Sequence, residues 1–110
     1  MNEKPGWLEY IYVPTQWMDL VFRSDLSVEC KLVGAVIART CVYSKRHQQS
    51  LSSISIYNIS RILKMSKAET QILIDLLVQG GWLWETEFAV GAQRAYSLTF
   101  SVLPLNGMRK

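Results

Sequence analysis

The sequence predicts an α+β fold with three helices, a short strand between the first two, and a β-hairpin after the third. Apolar residues recur every three or four positions along about 27–43 and along 67–79, which is typical of amphipathic helices. Two alternating segments, 82–88 and 94–102, flank a turn at 89–93, which is typical of a hairpin. We expect one domain, because 110 residues suffice for a single core.

The segment before the first of these helices combines an extended part and a helical part. Residues 7–13 are aromatic and β-branched, which favours a strand, and Pro14 ends that stretch. Positions 15–22 fit a short helix. Ser24 or Asp25 is the predicted N-cap of the longer helix, since both side chains accept hydrogen bonds from the free amides of a first turn.

The helix predicted over about 27–43 has one broad apolar face. Its members are three or four positions apart: Leu32, Val33, Val36, Ile37 and Thr40. The run 44–50 contains no apolar residue, which predicts a solvated loop.

Both cysteines, Cys30 and Cys41, fall within this predicted helix. Eleven residues along a helix separate them by roughly 16 Å, too far for a disulfide. We expect two small buried hydrophobic residues of a reduced, cytoplasmic protein. His47 is the single histidine, so the sequence predicts no metal site, and no neighbouring carboxylate supports a Cys–His nucleophile.

The second and third helices have clear local boundary signals. Ile54 to Arg61 begins with a strand-like triplet and continues as a short helix for which Ser55 is the predicted cap. A break falls at 64–66. Ser66 and Glu69 have the spacing of a capping box, and the helix ends at Gly80-Gly81.

Composition and motifs exclude several classes of protein. With 49% hydrophobic and 19% charged residues, the chain is neither disordered nor of low complexity. We expect no signal peptide and no membrane span, since the longest apolar runs are far shorter than a bilayer needs. No phosphate loop, carboxylate pair or Ser-His-Asp pattern is present, so we expect neither catalysis nor a cofactor.

The positive charge is concentrated in the middle of the sequence. The whole chain has a formal charge of +3, but residues 31–67 contain seven lysines and arginines and no acidic residue. Residues 1–30 carry a net −3 and residues 68–110 a net −1. The basic window covers the elements expected to meet a nucleic-acid backbone, which favours electrostatic contact with it.

The predicted order of elements is that of a winged helix-turn-helix, with an extension at 1–24, a core at 25–103 and a tail at 104–110. Short motifs along residues 10–100 resemble the N-terminal domain of bacteriophage replication protein O and related replication initiators. They are Tyr12-Val13-Pro14, Leu26-Ser27, Lys31-Leu32-Val33, Arg39-Thr40, Ile54-Ser55-Ile56, Ile59-Ser60, Leu63-Lys64-Met65-Ser66 and Leu77-Val78-Gln79-Gly80-Gly81-Trp82-Leu83. The segment Arg94-Ala95-Tyr96-Ser97-Leu98-Thr99 is similar to the wing of MarR-type repressors.

This resemblance implies that helix 67–79 enters the major groove and that wing 88–95 meets the backbone or the minor groove. On that basis Gln71 bonds adenine N6 and N7, Lys67 a guanine or a phosphate, and Arg94 a phosphate or the minor groove. The groove-facing positions are Ser66, Lys67, Ala68, Gln71, Ile72 and Asp75, and the inward ones are Thr70, Leu73, Ile74 and Leu77. With the basic window and the helix N-termini included, the candidate DNA-binding residues are Lys45, Arg46, Ser55, Arg61, Lys64, Ser66, Lys67, Gln71 and Arg94.

Two features of the sequence point away from simple DNA binding. Asp75 is an acidic residue on the proposed groove face, where phosphates repel it unless it reads a cytosine amine. Leu83 takes the core position of its strand, so Trp82 and Trp84 are expected to point away from the core. Either the N-terminal segment with Trp7, Tyr10 and Tyr12 covers these indoles, or another chain does, as in a homodimer.

The resulting hypothesis is a non-catalytic, cytoplasmic protein that binds double-stranded DNA as a small transcriptional regulator or a replication-associated module. One alternative is a winged-helix interaction module with little DNA affinity that binds another protein through the aromatic face of the wing or through the third helix. A further alternative is a single-stranded nucleic-acid binder that stacks bases on exposed aromatic residues.

Overall fold

Four helices and five strands follow one another in the part of the chain described by the computed structural model, residues 4–90 and 93–102. In chain order they are β1 (Leu8–Tyr10), α1 (Pro14–Arg23), α2 (Val28–Arg39), β2 (Val42–Ser44), β3 (Gln49–Ser52), α3 (Ile56–Leu63), α4 (Lys67–Gln79), β4 (Leu83–Val90) and β5 (Gln93–Ser101). The predicted α+β class is confirmed.

The five strands form one antiparallel sheet in which β5 is central. Strand β4 pairs with one edge of β5, with Leu83 opposite Leu98. The other edge of β5 pairs first with β3 and then with β1, and β2 pairs with the outer edge of β3. The N-terminal strand and the C-terminal hairpin therefore belong to the same sheet.

Serine side chains cap three of the helices. Ser27 Oγ accepts a hydrogen bond from the Cys30 amide at 3.1 Å, so Ser27 is the N-cap of α2 and the prediction of Ser24 or Asp25 is wrong. The caps predicted for the last two helices are confirmed: Ser55 Oγ accepts from the Asn58 amide and Ser66 Oγ from the Glu69 amide.

Helix α2 ends four residues earlier than the sequence predicts. The predicted helix ran to about residue 43, but α2 stops at Arg39, and 42–44 form strand β2. Thr40 Oγ1 lies 2.9 Å from the Ile37 carbonyl and 2.7 Å from Ser52 Oγ, which ties the helix end to β3. Cys41 consequently lies outside the helix, and the structure contradicts its assignment to the same helix as Cys30.

The run 44–50 is not a solvated loop. Its ends belong to β2 and β3, only 45–48 form the turn, and Gln49 and Ser50 are buried. Ser50 Oγ donates to the Tyr12 carbonyl at 2.6 Å, and Gln49 Oε1 accepts from Ser97 Oγ. Because both side chains have hydrogen-bond partners, they can be buried although they are polar. The partners lie far away in the sequence.

The C-terminal hairpin is longer than predicted. Strand β4 continues to Val90 and β5 begins at Gln93, so strands occupy most of the predicted turn at 89–93. The pairing shifts register between Glu85 and Ala89, which is a β-bulge or similar irregularity. Residues 91 and 92 of that turn lie outside the described residues.

The core lies between the helices and one face of the sheet. Trp17 and Val21 of α1 are fully buried in it, so the N-terminal segment contributes to the same core as the later helices. The predicted inward residues of the last helix are confirmed, since Thr70, Leu73, Ile74 and Leu77 are all buried. Two residues assigned to the apolar face of α2 are instead exposed: Leu32 and Thr40.

Among the described residues, no helix combines the length and the apolar character that a membrane crossing requires. In the same part of the chain, no three histidine, cysteine or acidic side chains come together as metal ligands.

Candidate nucleic-acid interface

The α3–α4 turn carries three basic residues. It brings Arg61, Lys64 and Lys67, which we call the turn cations, to one end of the helix pair, and all three side chains are exposed. The turn is short because α3 ends at Leu63 and Ser66 already caps α4.

One aromatic ring fixes the arrangement of two of these cations. The Arg61 guanidinium lies 5.6 Å from the centroid of the Tyr57 ring, and the Lys67 ammonium lies 5.7 Å from it. Tyr57 thus joins a cation of α3 to one at the start of α4, by contacts each worth about 0.5–1 kcal/mol at an exposed site. The sequence interpretation missed Tyr57, although the Tyr57–Arg61 spacing of one helical turn is a usable signal.

The turn cations have no acidic partner in the described parts of the chain. The ion pair found among the described residues lies elsewhere, within α1, where Arg23 and Asp19 are 2.9 Å apart. The charges at the α3–α4 turn are therefore available to an external anion. Their field adds to that of the α4 N-terminus, where helix amides and the macrodipole also favour negative charge.

Lys64 occupies a backbone conformation that usually favours glycine. Its φ is 56° and its ψ 45°, the left-handed region, in which its amide donates to the Ser60 carbonyl. A side chain in this region costs roughly 1–2 kcal/mol compared with glycine. The chain therefore carries a lysine where local conformational energy disfavours one.

This conflict predicts that Lys64→Gly has opposite effects on stability and on any contact between the turn and DNA. We expect Lys64→Gly to raise the free energy of unfolding by about 1 kcal/mol in urea denaturation while weakening duplex binding. Gln48, whose φ is 55°, is the matched control: Gln48→Gly should raise stability to a similar extent and leave duplex affinity unchanged. Equal duplex affinity for the two glycine variants would show that the Lys64 charge does not contact DNA.

The remaining candidate residues lie on other elements or have other tasks. Lys45 and Arg46 are exposed on the β2–β3 turn, separate from the α3–α4 turn in the chain. Ser55 and Ser66 both use Oγ to cap a helix, so each hydroxyl has a structural function. The backbone of Arg94 lies in β5, and its side chain is outside the described part of the structure.

The outward face of α4 is less basic than the turn. Gln71 Nε2 donates to Asp75 Oδ1 at 2.8 Å, one helical turn apart. The two side chains line a groove of about 430 Å³ between α4 and the sheet, which Tyr96 and Glu85 also line. Further round the helix, Ile72 is 60% exposed and Leu76 is 46% exposed.

Trp82 and Trp84 are both partly buried. The Trp82 ring meets Phe100 edge-on at 5.5 Å between centroids and packs against the core, so it does not simply point away from it. The Tyr12 ring instead lies 6.3 Å from that of Tyr43 in β2. That contact takes Tyr12 to the β2 edge of the sheet.

Both cysteines are free thiols. Burial raises the pKa of the Cys41 thiol to about 12 and also raises that of Cys30. A thiol with a raised pKa is a poor nucleophile at neutral pH, because the thiolate is the reactive form.

Comparison of the chain with models of protein families, with curated protein sequences and with solved structures finds no match in any of the three.

Proposed function

We propose that the protein is a winged helix-turn-helix that binds double-stranded DNA without catalysis, as a small transcriptional regulator or a replication-associated module. Helices α2, α3 and α4 would be the three-helix core, and β4–β5 the wing. The pairing of β3 with β5 supports this assignment, because it joins the strand between the first two core helices to the wing.

The observation that carries the proposal is the set of turn cations at the α3–α4 turn. Two of them are held over the Tyr57 ring, and none has an acidic partner in the described structure. In DNA complexes, such charges release counterions from phosphates and position the protein on the duplex. The N-terminal half of α4 would then lie in the major groove.

A salt titration tests this proposal. Fluorescence anisotropy of a labelled random-sequence duplex should show that affinity falls as salt rises, with a log–log slope of about −3 or steeper if each turn cation contacts one phosphate. Arg61→Glu and Lys67→Glu should each weaken binding by about tenfold, and the triple reversal that includes Lys64 by about a hundredfold or more.

Arg23→Glu is the matched control, because it makes the same change in net charge at an exposed site on α1. It should weaken binding by less than about threefold. Arg61→Gln removes the charge without adding one, and circular dichroism of each variant checks that it is folded. If Arg23→Glu and Lys67→Glu lower the duplex affinity equally, the loss depends only on net charge and the proposed interface is rejected.

A protein-interaction module is the second candidate. Ile72 and Leu76 favour it, because two large exposed apolar side chains one turn apart on α4 suit an apolar partner better than a phosphate backbone. No binding to the duplex even at low salt would favour this function. A preference for single-stranded over duplex DNA would favour base stacking on exposed aromatic residues.

The proposal includes a cytoplasmic location and an association of two copies on DNA. Two free thiols suit a reducing compartment. Two-fold assembly would let two α4 helices read successive half-sites, and the partly buried Trp84 is a candidate contact between copies. Size-exclusion chromatography with and without duplex measures this association.

A further inference from the structure

Asp75 lies on the face of α4 that would enter the major groove, and its hydrogen bond to Gln71 gives it a structural role there. Its Oδ1 accepts a hydrogen bond from Gln71 Nε2 at 2.8 Å on the exposed side of α4. Gln71 lies one helical turn, or about 6 Å, further along α4 than Lys67. A Lys67 that holds a phosphate would therefore leave Gln71 within reach of the base edges.

The pair fixes the orientation of the glutamine amide. An ionised carboxylate only accepts hydrogen bonds, so the nitrogen of Gln71, and not its oxygen, must face Asp75. One N–H is used in this contact. The amide keeps Oε1 as an acceptor and its second N–H as a donor. These two groups stand side by side when the N–H bonded to Asp75 is the one on the Cγ side of the amide.

This donor–acceptor edge matches one base in the major groove. Adenine offers an N6 amine that donates and an N7 that accepts, at the spacing of a carboxamide. Guanine offers acceptors at both O6 and N7, so Gln71 Oε1 would face another acceptor there. Thymine presents an acceptor and a methyl group, and cytosine an amine without the neighbouring N7.

We infer that Gln71 reads an adenine in the major groove, and that Asp75 is the positioning residue that orients it. This inference rests on the proposed function, since it requires α4 to enter the groove. Asp75 and Glu85 line the groove of the protein between α4 and the sheet, and their negative charges repel phosphates. These two carboxylates would keep the DNA phosphates at the turn cations, and Gln71 would then contact the edge of a base.

Two substitutions of Asp75 separate its positioning effect from its charge. Asp75→Asn and Asp75→Ala remove the same negative charge, so both should raise affinity for a random-sequence duplex by a similar factor. An asparagine oriented with Oδ1 towards Gln71 still accepts the Nε2–H bond, whereas alanine cannot. Selection from a randomised duplex pool followed by sequencing should show an adenine preference for the wild type and Asp75→Asn, but not for Asp75→Ala or Gln71→Ala.

A modified base gives the second measurement. In the selected duplex, replacing the preferred adenine with 7-deazaadenine removes the N7 acceptor, and it should weaken wild-type binding by about tenfold. The same replacement should change Gln71→Ala binding by less than twofold. Circular dichroism of all variants confirms that they are folded.

The outcomes distinguish this inference from the proposed function. Salt-dependent binding without an adenine preference, or an equal preference in Asp75→Ala and Asp75→Asn, overturns the positioning inference and leaves DNA binding intact. If the wild type binds no duplex, the proposed function fails and the inference fails with it.

Discussion

Replacement of Trp17 by alanine is expected to lower the free energy of unfolding by about 3–5 kcal/mol. Trp17 has no exposed surface, and its single indole N–H is shared between two carbonyls, with Nε1 2.9 Å from the Trp82 oxygen and 3.0 Å from the Thr99 oxygen. Truncation would leave a large cavity between α1 and α2 and break both hydrogen bonds. A loss of this size is a substantial fraction of the 5–15 kcal/mol that stabilises a typical domain.

A milder substitution tests the packing in detail. Trp17→Phe removes both hydrogen bonds and vacates the volume beside Gly34, where an added Cβ would lie 3.3 Å from Trp17 Cη2. In the phenylalanine background that contact is gone, so Gly34→Ala should recover about 1 kcal/mol from helix propensity. In the wild-type background the same substitution should raise the free energy of unfolding by less, because the Trp17 indole has to shift.

Urea denaturation followed by circular dichroism measures all four proteins of this double-mutant cycle. If Gly34→Ala has the same effect with tryptophan and with phenylalanine at position 17, the two residues are not in contact as described. If Trp17→Ala costs less than about 1 kcal/mol, α1 is not part of the cooperative core.

Local signals in the sequence predicted the helices best. The caps at Ser55 and Ser66 and the end of α4 at Gly80 depend on residues within one turn of the boundary, so the pattern contains the information needed. The inward face of α4 was likewise predicted from its period alone. The end of α2 was predicted wrongly because it does not depend on local signals alone. The contact of Thr40 with Ser52 in β3 fixes it.

Strands β2 and β3 could not be predicted from their composition. A run of polar residues normally predicts a loop, but Gln49 and Ser50 are buried because Ser97 and the Tyr12 carbonyl are their partners. Those partners are 48 and 38 positions away. A pattern read within a short window contains no information about such pairs.

The candidate interface shows the same division between local and long-range information. The seven cations of the basic window are visible in the sequence, and the turn that presents three of them follows from the helix caps. The role of Tyr57 depends on a contact between two helices, with Lys67 ten residues away. The bond from Gln71 to Asp75 is local, yet the sequence interpretation did not pair the two side chains.

Gly81→Ala is expected to lower the free energy of unfolding by about 2–3 kcal/mol. Gly81 has a φ of +82°, which disfavours any L side chain, and an added Cβ would lie 3.0 Å from both Leu8 Cδ2 and Ser101 Cβ. The residue sits where the chain leaves α4 for β4 and passes close to β1 and β5. Its carbonyl accepts a 2.8 Å hydrogen bond from Thr99 Oγ1, which limits how far the backbone can move to relieve the contact.

Gly6→Ala is the matched control for this substitution, because nothing lies within 4 Å of a Cβ added there. Both alanines reduce the entropy of the unfolded chain equally, so the difference between the two variants in urea denaturation isolates the native-state cost at Gly81. A difference below about 0.5 kcal/mol would mean that the turn adopts another conformation in solution. A difference of the expected size would establish that the path from α4 into β4 requires glycine at position 81.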